Sequence, residues 1–174
     1  ECFNGKICHL MNMAVRREVY RPIIQNHIGP AGYFRDPHHM SEYLADSVFL
    51  PWVNNEEGDP VAMASNKERF SSLNGLMLVM FTEDSVVYPK ESEWFQELNQ
   101  FMKVEPLEKS AFYQSDAIGL KTLNEAGKVQ FVSIVGDHLE FTNQDVTDIF
   151  VPFLMQEPSD DIKCYSKPQQ RVLV

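Results

Sequence analysis

Two stretches of the chain are apolar with little alternation: LMLVMF at 76–81 and VQFVSIV at 129–135. Runs of this kind are typical of strands covered on both faces, as in parallel sheets. Each ends in a polar loop, TEDSVVYP after the first and GDHLEF after the second. Elsewhere the pattern is helical. Residues 9–28 carry an apolar stripe through Met13, Val15, Val19, Ile23 and Ile24, interrupted by Pro22. Residues 29–39 read as loop because of Gly29, Pro30, Gly32 and Pro37. A short helix is expected over 40–50 and a polar loop over 51–65. ESEWFQELNQFM reads as a helix with Trp94, Phe95 and Leu98 on one side. Another short helix is expected over 115–125, ending at Gly127, and an amphipathic one over 143–154 with Asn143 as its cap.

The order strand, loop, helix, strand, loop, helix predicts an α/β fold with two parallel strands joined by a right-handed crossover. Functional groups in such sheets lie just beyond the carboxyl ends of the strands. That rule singles out TEDS and GDHLEF. It divides the chain into a helical region at 1–75, a strand-bearing core at 76–155, and a polar, Pro-punctuated tail at 156–174 expected to be flexible.

Composition narrows the partners. The chain has 174 residues, of which 44% are hydrophobic, enough for one globular domain or a large piece of one. Its formal net charge of −10 argues against nucleic acid, which needs a basic face. No apolar run is long enough to span a membrane. No signal peptide is visible, and there is no Asn-x-Ser/Thr sequon. Cys2 and Cys8 flank a short Asn-Gly turn, a spacing that allows either a small disulfide loop or two free thiols. Cys164 is left over in both cases.

Asp84 follows the first strand and His138 the second, on one rim of the expected sheet. A carboxylate there can accept from imidazole Nδ1, fix the tautomer and stabilise the imidazolium formed when Nε2 takes a proton. Acid before histidine at consecutive strand ends is also the order an α/β-hydrolase uses after its nucleophile. The plainer alternative is that Asp84 caps a turn and His138 the next helix. Glu83 and Asp137 share the rim, but Asp84 stands at the turn itself. The nucleophile is missing: no two of the eight glycines are four residues apart, so the chain contains no G-x-S-x-G elbow. His38 and His39 with Asp36 and Glu42 lack a convincing ligand spacing, so no metal site is expected.

The segments IIQNHIGPAGYFRDP, ERFSSLNGLMLVMFTEDSVVYPKESEWF, GLKTLNEAGKVQFVSIVGDHLEF and FVPFL resemble the C-terminal half of palmitoyl-protein thioesterases. The resemblance runs from about Cys2 to Met155. It implies the C-terminal part of an α/β-hydrolase fold, with residues 9–70 in a helical insertion beside the acyl groove. The implied activity is hydrolysis of fatty-acyl thioesters on protein cysteines, in the lysosome or vacuole, with S-acylated proteins or fatty-acyl thioesters as substrates and no cofactor. The family's acid matches Asp84, its base matches His138, and Cys2 and Cys8 match a short disulfide loop. Its serine, elbow and oxyanion loop are expected upstream of Glu1. QELNQFMKVEPLEKS departs from the family's pattern. Two other expectations stand beside this one: an inactive paralogue that binds an acyl chain or a partner, and a remnant without independent function. The isolated chain is expected to lack thioesterase activity.

Overall fold

The structure, a computed structural model, describes residues 18–155. Cys2, Cys8 and the 156–174 tail lie outside the described residues. The chain divides into two compact units, 1–64 and 65–174.

In the first unit, α1 (Pro22–His27), a 3-10 turn (Gly29–Tyr33), α2 (Met40–Asp46) and α3 (Leu50–Val53) follow one another. Pro22 begins α1, where proline lacks only the N–H that a first helical turn leaves unbonded; residues 9–17 of the expected helical stretch lie outside the described residues. The core is Val19, Tyr20, Ala31 and Tyr43. The buried Gln25 side chain is satisfied: its Nε2 donates to the carbonyls of Val19 (2.9 Å) and Ala31 (3.0 Å).

The polar loop expected over 51–65 is largely helical. α3 occupies its start, and α4 (Pro60–Ser71) begins at its end and runs across the division between the units. α4 has no apolar stripe to reveal it. Good helix formers such as Ala62, Met63, Lys67, Glu68 and Arg69 carry it, and Asp59 Oδ2 accepts from the Ala62 N–H at 2.9 Å.

The second unit holds the sheet. β1 (Leu76–Phe81) and β4 (Val129–Ile134) pair in parallel, from Leu76 opposite Val129 to Phe81 opposite Ile134. Leu78, Met80 and Phe81 are buried, whereas on β4 only Ile134 is. Coverage of both faces is therefore partial for β4, whose Gln130 stands in solvent. Between the strands lie a 3-10 turn (Lys90–Trp94), the short antiparallel pair β2 (Glu97–Leu98) and β3 (Val104–Glu105), α5 (Ala111–Ser115) and α6 (Leu120–Glu125). Their core is Leu107, Phe112, Tyr113 and Leu120.

The helix expected across ESEWFQELNQFM stops after one turn. Phe95 adopts a left-handed conformation (φ 58°), which ends the 3-10 turn and releases the chain into β2. Asn99 then shapes the hairpin, its Oδ1 accepting from the N–H groups of Phe101 and Lys103. After β4 the chain forms a helical segment over 143–154, with a π-helical stretch at Val146–Phe150. Its cap is Thr142, not Asn143: Thr142 Oγ1 accepts from the Asp145 N–H while Asp145 bonds back to Thr142, a reciprocal capping box. Among the described residues no helix is long and apolar enough to cross a membrane.

Candidate active site

The β1–β4 ladder continues past the strand ends. Thr82 N–H donates to Ile134 O (2.9 Å) and Glu83 N–H to Gly136 O (3.0 Å), so the two outgoing loops stay side by side. Gly136 allows the loop after β4 to fold back tightly on itself. A Cβ there would lie 2.7 Å from the Glu140 carbonyl oxygen, and its φ of 159° suits glycine. Leu139 (φ 57°) then turns the chain back, and the Glu140 N–H reaches the Asp137 carbonyl at 2.9 Å.

At this rim His138 Nδ1 lies 2.7 Å from Asp84 Oδ2 across 54 residues of sequence. The Asp84 side chain has no exposed surface, while that of His138 is 34% exposed. Asp84 Oδ1 accepts from the N–H groups of Val86 and Val87, both at 2.7 Å, in a tight Asx turn. Desolvation works to raise the Asp84 pKa. The hydrogen bonds from the Val87 N–H, His138, the Val86 N–H and Glu93 outweigh it and hold the group at about 2. An ionised Asp84 can only accept, so the proton of the contact sits on His138 Nδ1 and the lone pair of a neutral imidazole on Nε2. Among the described residues Nε2 makes no hydrogen bond, and the exposed edge of the ring can meet a substrate.

Asp137 does different work. Its carboxylate accepts from the Ser85 N–H (2.8 Å), the Ser85 hydroxyl (2.9 Å) and the His138 N–H (2.7 Å). Hydrogen bonds from the Ser85 backbone, the His138 backbone and the Ser85 hydroxyl lower its pKa. Glu83 contributes its backbone to the ladder. The structure thus separates the carboxylates of the rim: Asp84 meets the imidazole and Asp137 ties the loops.

Sequence reasoning misses Glu93. It lies in the 3-10 turn, with Oε2 accepting from the Phe81 N–H at 2.8 Å, and burial together with the neighbouring Asp84 raises its pKa. One polar atom from each of Asp84, Glu93 and His138 falls within 4.8 Å of the others. His138 Nδ1 is committed to Asp84 and Glu93 Oε2 to the Phe81 N–H, so these polar atoms already have partners within the protein. The position next to Trp94 and Phe95, just after Pro89, is the signal that could have marked Glu93.

Asp36 ties the His38 backbone and the His39 side chain. Asp36 is buried and accepts from the His38 N–H (3.0 Å) and contacts His39 Nδ1 (3.1 Å), while Glu42 accepts from Ser41.

Comparison with known proteins gives this geometry a context. The family model for palmitoyl protein thioesterase matches residues 2–138. Palmitoyl-protein thioesterase 1 of Caenorhabditis elegans is 32% identical over 158 residues, which cover 88% of this chain and 52% of that protein. Palmitoyl-protein thioesterase 3 of Dictyostelium discoideum is 38% identical over 73 residues, 42% of this chain and 25% of that protein. Lysosomal thioesterase PPT2-B of Xenopus laevis is 38% identical over 88 residues, 50% of this chain and 30% of that protein. The chain thus spans about half or less of the curated relatives it matches. Its parallel strands and intervening helices are those of a partial α/β-hydrolase fold. This chain belongs to the palmitoyl protein thioesterase family.

Proposed function

We propose that the chain takes part in hydrolysis of fatty-acyl thioesters on protein cysteines, with His138 as general base and then acid, and Asp84 as the group that orients it. The observation that carries this reading is the 2.7 Å contact between His138 Nδ1 and the buried Asp84 carboxylate at adjoining strand ends, in a member of a thioesterase family.

In this mechanism a serine hydroxyl attacks the thioester carbonyl carbon while Nε2 of His138 takes its proton. The tetrahedral intermediate collapses, the C–S bond breaks, and the imidazolium returns that proton to the departing cysteine sulfur. A water molecule then attacks the acyl-serine ester, again giving its proton to Nε2, and the fatty acid leaves as the serine oxygen is reprotonated. These 174 residues contain no G-x-S-x-G elbow, so the serine in this reading is supplied from outside them. Residues 1–75 are proposed as the helical insertion beside the acyl chain, and 76–155 as the segment carrying acid and base. The compartment proposed is the lysosome or vacuole, in keeping with the relative named a lysosomal thioesterase. There the Cys2–Cys8 pair would be bridged.

The native protein, captured with an antibody to residues 76–95, tests the proposal. Hydrolysis of a palmitoyl thioester, together with fluorophosphonate labelling of a serine on the captured species, is the expected result. A captured species that neither hydrolyses the thioester nor takes the label would overturn it and favour a non-catalytic acyl- or protein-binding role.

A further inference from the structure

Asp84 is held by its own Asx turn and by His138, and the Glu93 carboxyl lies beside both, with a polar atom of each of the three within 4.8 Å of the others. Glu93 is itself fixed at both ends. Its carboxyl accepts from the N–H of Phe81, the last residue of β1. Its backbone belongs to a 3-10 turn pinned to β4 by Trp94 Nε1, which donates to the Val132 carbonyl at 3.1 Å. Trp94 also meets Phe131 edge-on, with ring centroids 5.9 Å apart. Lys90, on the same turn, donates to the Thr82 carbonyl.

We propose that Glu93 is a positioning residue for the Asp84–His138 pair: its carboxyl, seated on the Phe81 N–H, donates a hydrogen bond to the Asp84 carboxylate and locks that carboxylate toward the imidazole. The inference rests on the proposed role of Asp84 and His138. Two ionised carboxylates this close repel each other, and a proton kept by one of them turns the repulsion into a hydrogen bond. Asp84, which already accepts two backbone N–H groups and the imidazole, is the better anion. Glu93 accepts a single N–H and is the better acid. Burial pushes Glu93 upward most; its hydrogen bond to Phe81 opposes this, and the neighbouring Asp84 adds to the rise. The other charged groups around it are occupied or remote in role: Lys90 bonds to Thr82, Asp137 holds Ser85, Glu140 Oε2 accepts from the Asp137 N–H, and Glu83 and Glu91 lend backbone groups to the ladder and the turn.

Carboxyl-carbon NMR of the 174-residue chain, titrated from acid to neutral pH without substrate, tests this directly. The Glu93 carboxyl is expected to keep its protonated signature to higher pH than the exposed glutamates. In Asp84→Asn its midpoint is expected to fall, with burial preserving part of the rise. A Glu93 midpoint among those of the exposed glutamates, or one unmoved by Asp84→Asn, would overturn the proposal. Glu93→Gln keeps both a donor for position 84 and an acceptor for the Phe81 N–H, whereas Glu93→Ala keeps neither. In the native protein, thioester hydrolysis is expected to stay within about twofold in Glu93→Gln. In Glu93→Ala kcat is expected to fall roughly tenfold with KM little changed, the pattern of a misplaced base. Equal losses in both variants would overturn it. Because the titration needs no turnover, the protonation of Glu93 is decided by it even if the thioesterase reading fails.

Discussion

Ser85 and Asp137, 52 residues apart, hold each other through a backbone and a hydroxyl hydrogen bond, and so fasten the loop that carries Asp84 to the loop that carries His138. The same Asp137 oxygen takes the His138 N–H. One carboxylate therefore fixes the backbone beside both members of the pair, in addition to the contact the pair makes itself. Asp137→Ala should speed amide hydrogen exchange at Ser85 and His138 well before exchange in β1 and β4 changes, because the loss is local. Exchange rising equally in the strands would show that the tie supports the whole sheet.

On the proposed mechanism, His138→Ala and Asp84→Asn should each lower thioester hydrolysis by roughly 10³–10⁴-fold in the native protein. Asp84→Asn acts through tautomer choice: an amide that donates to Nδ1 puts the proton on Nε2, the atom that must accept one. Steady-state kinetics on the captured variants is the check. A loss below about tenfold for Asp84→Asn would argue that Asp84 shapes the turn and little else.

Two acids of the site should push stability in opposite directions with pH. Asp84 sits at about 2 in the folded chain, below the ~3.9 of an unstructured aspartate. A depressed carboxylate stabilises the fold above its unfolded value and loses that contribution as pH falls toward the folded one. Unfolding free energy should therefore drop between about pH 4 and pH 2, and less steeply in Asp84→Asn. Glu93 is raised, so its contribution is complete below the ~4.3 of an unstructured glutamate and is lost as pH rises beyond it. Relative to wild type, Glu93→Gln should gain stability as pH rises above that value. Denaturant titrations at a series of pH values read both slopes.

Gly136→Ala should destabilise the protein by roughly 1–3 kcal/mol, because a Cβ would press against the Glu140 carbonyl oxygen at 2.7 Å. The turn that delivers His138 would have to open to relieve it. Thermal unfolding measures the cost, and the His138 ring resonances report the displacement.

Trp94→Phe removes the hydrogen bond to Val132 and leaves an aromatic ring against Phe131. A loss of about 1 kcal/mol is expected, read by chemical denaturation. If the bond is the main tie between the 3-10 turn and β4, the Glu93 titration should shift in the same variant.

The site is legible in the sequence to the extent that it follows from strands. Largely apolar runs ending in TEDS and GDHLEF locate β1, β4 and their loops, and the strand-end rule then puts Asp84 and His138 on one rim. Glu93 is hidden because ESEWFQELNQFM has helical periodicity, and a glutamate in such a pattern reads as a solvated face. The left-handed Phe95 is what breaks the helix, and nothing in the identity of phenylalanine announces a positive φ. α4 escapes for the opposite reason: its sequence has helix-forming residues but no apolar stripe. Thr142 and Asn143 are both residue types that cap helices, and only the reciprocal bond from Asp145 distinguishes them.

The strand register has a consequence for how this chain can change over time. β1 and β4 enter and leave the ladder together, Leu76 opposite Val129 and Phe81 opposite Ile134. A single-residue insertion or deletion inside either strand would move its outgoing loop by about 3.3 Å and turn every later side chain to the other face. Asp84 and His138 would then part, whatever their identities. Insertions in the hairpin of β2 and β3, or between α5 and α6, leave that frame untouched. Length variation among descendants of this sequence is accordingly expected to gather between the two strands and to be absent within them.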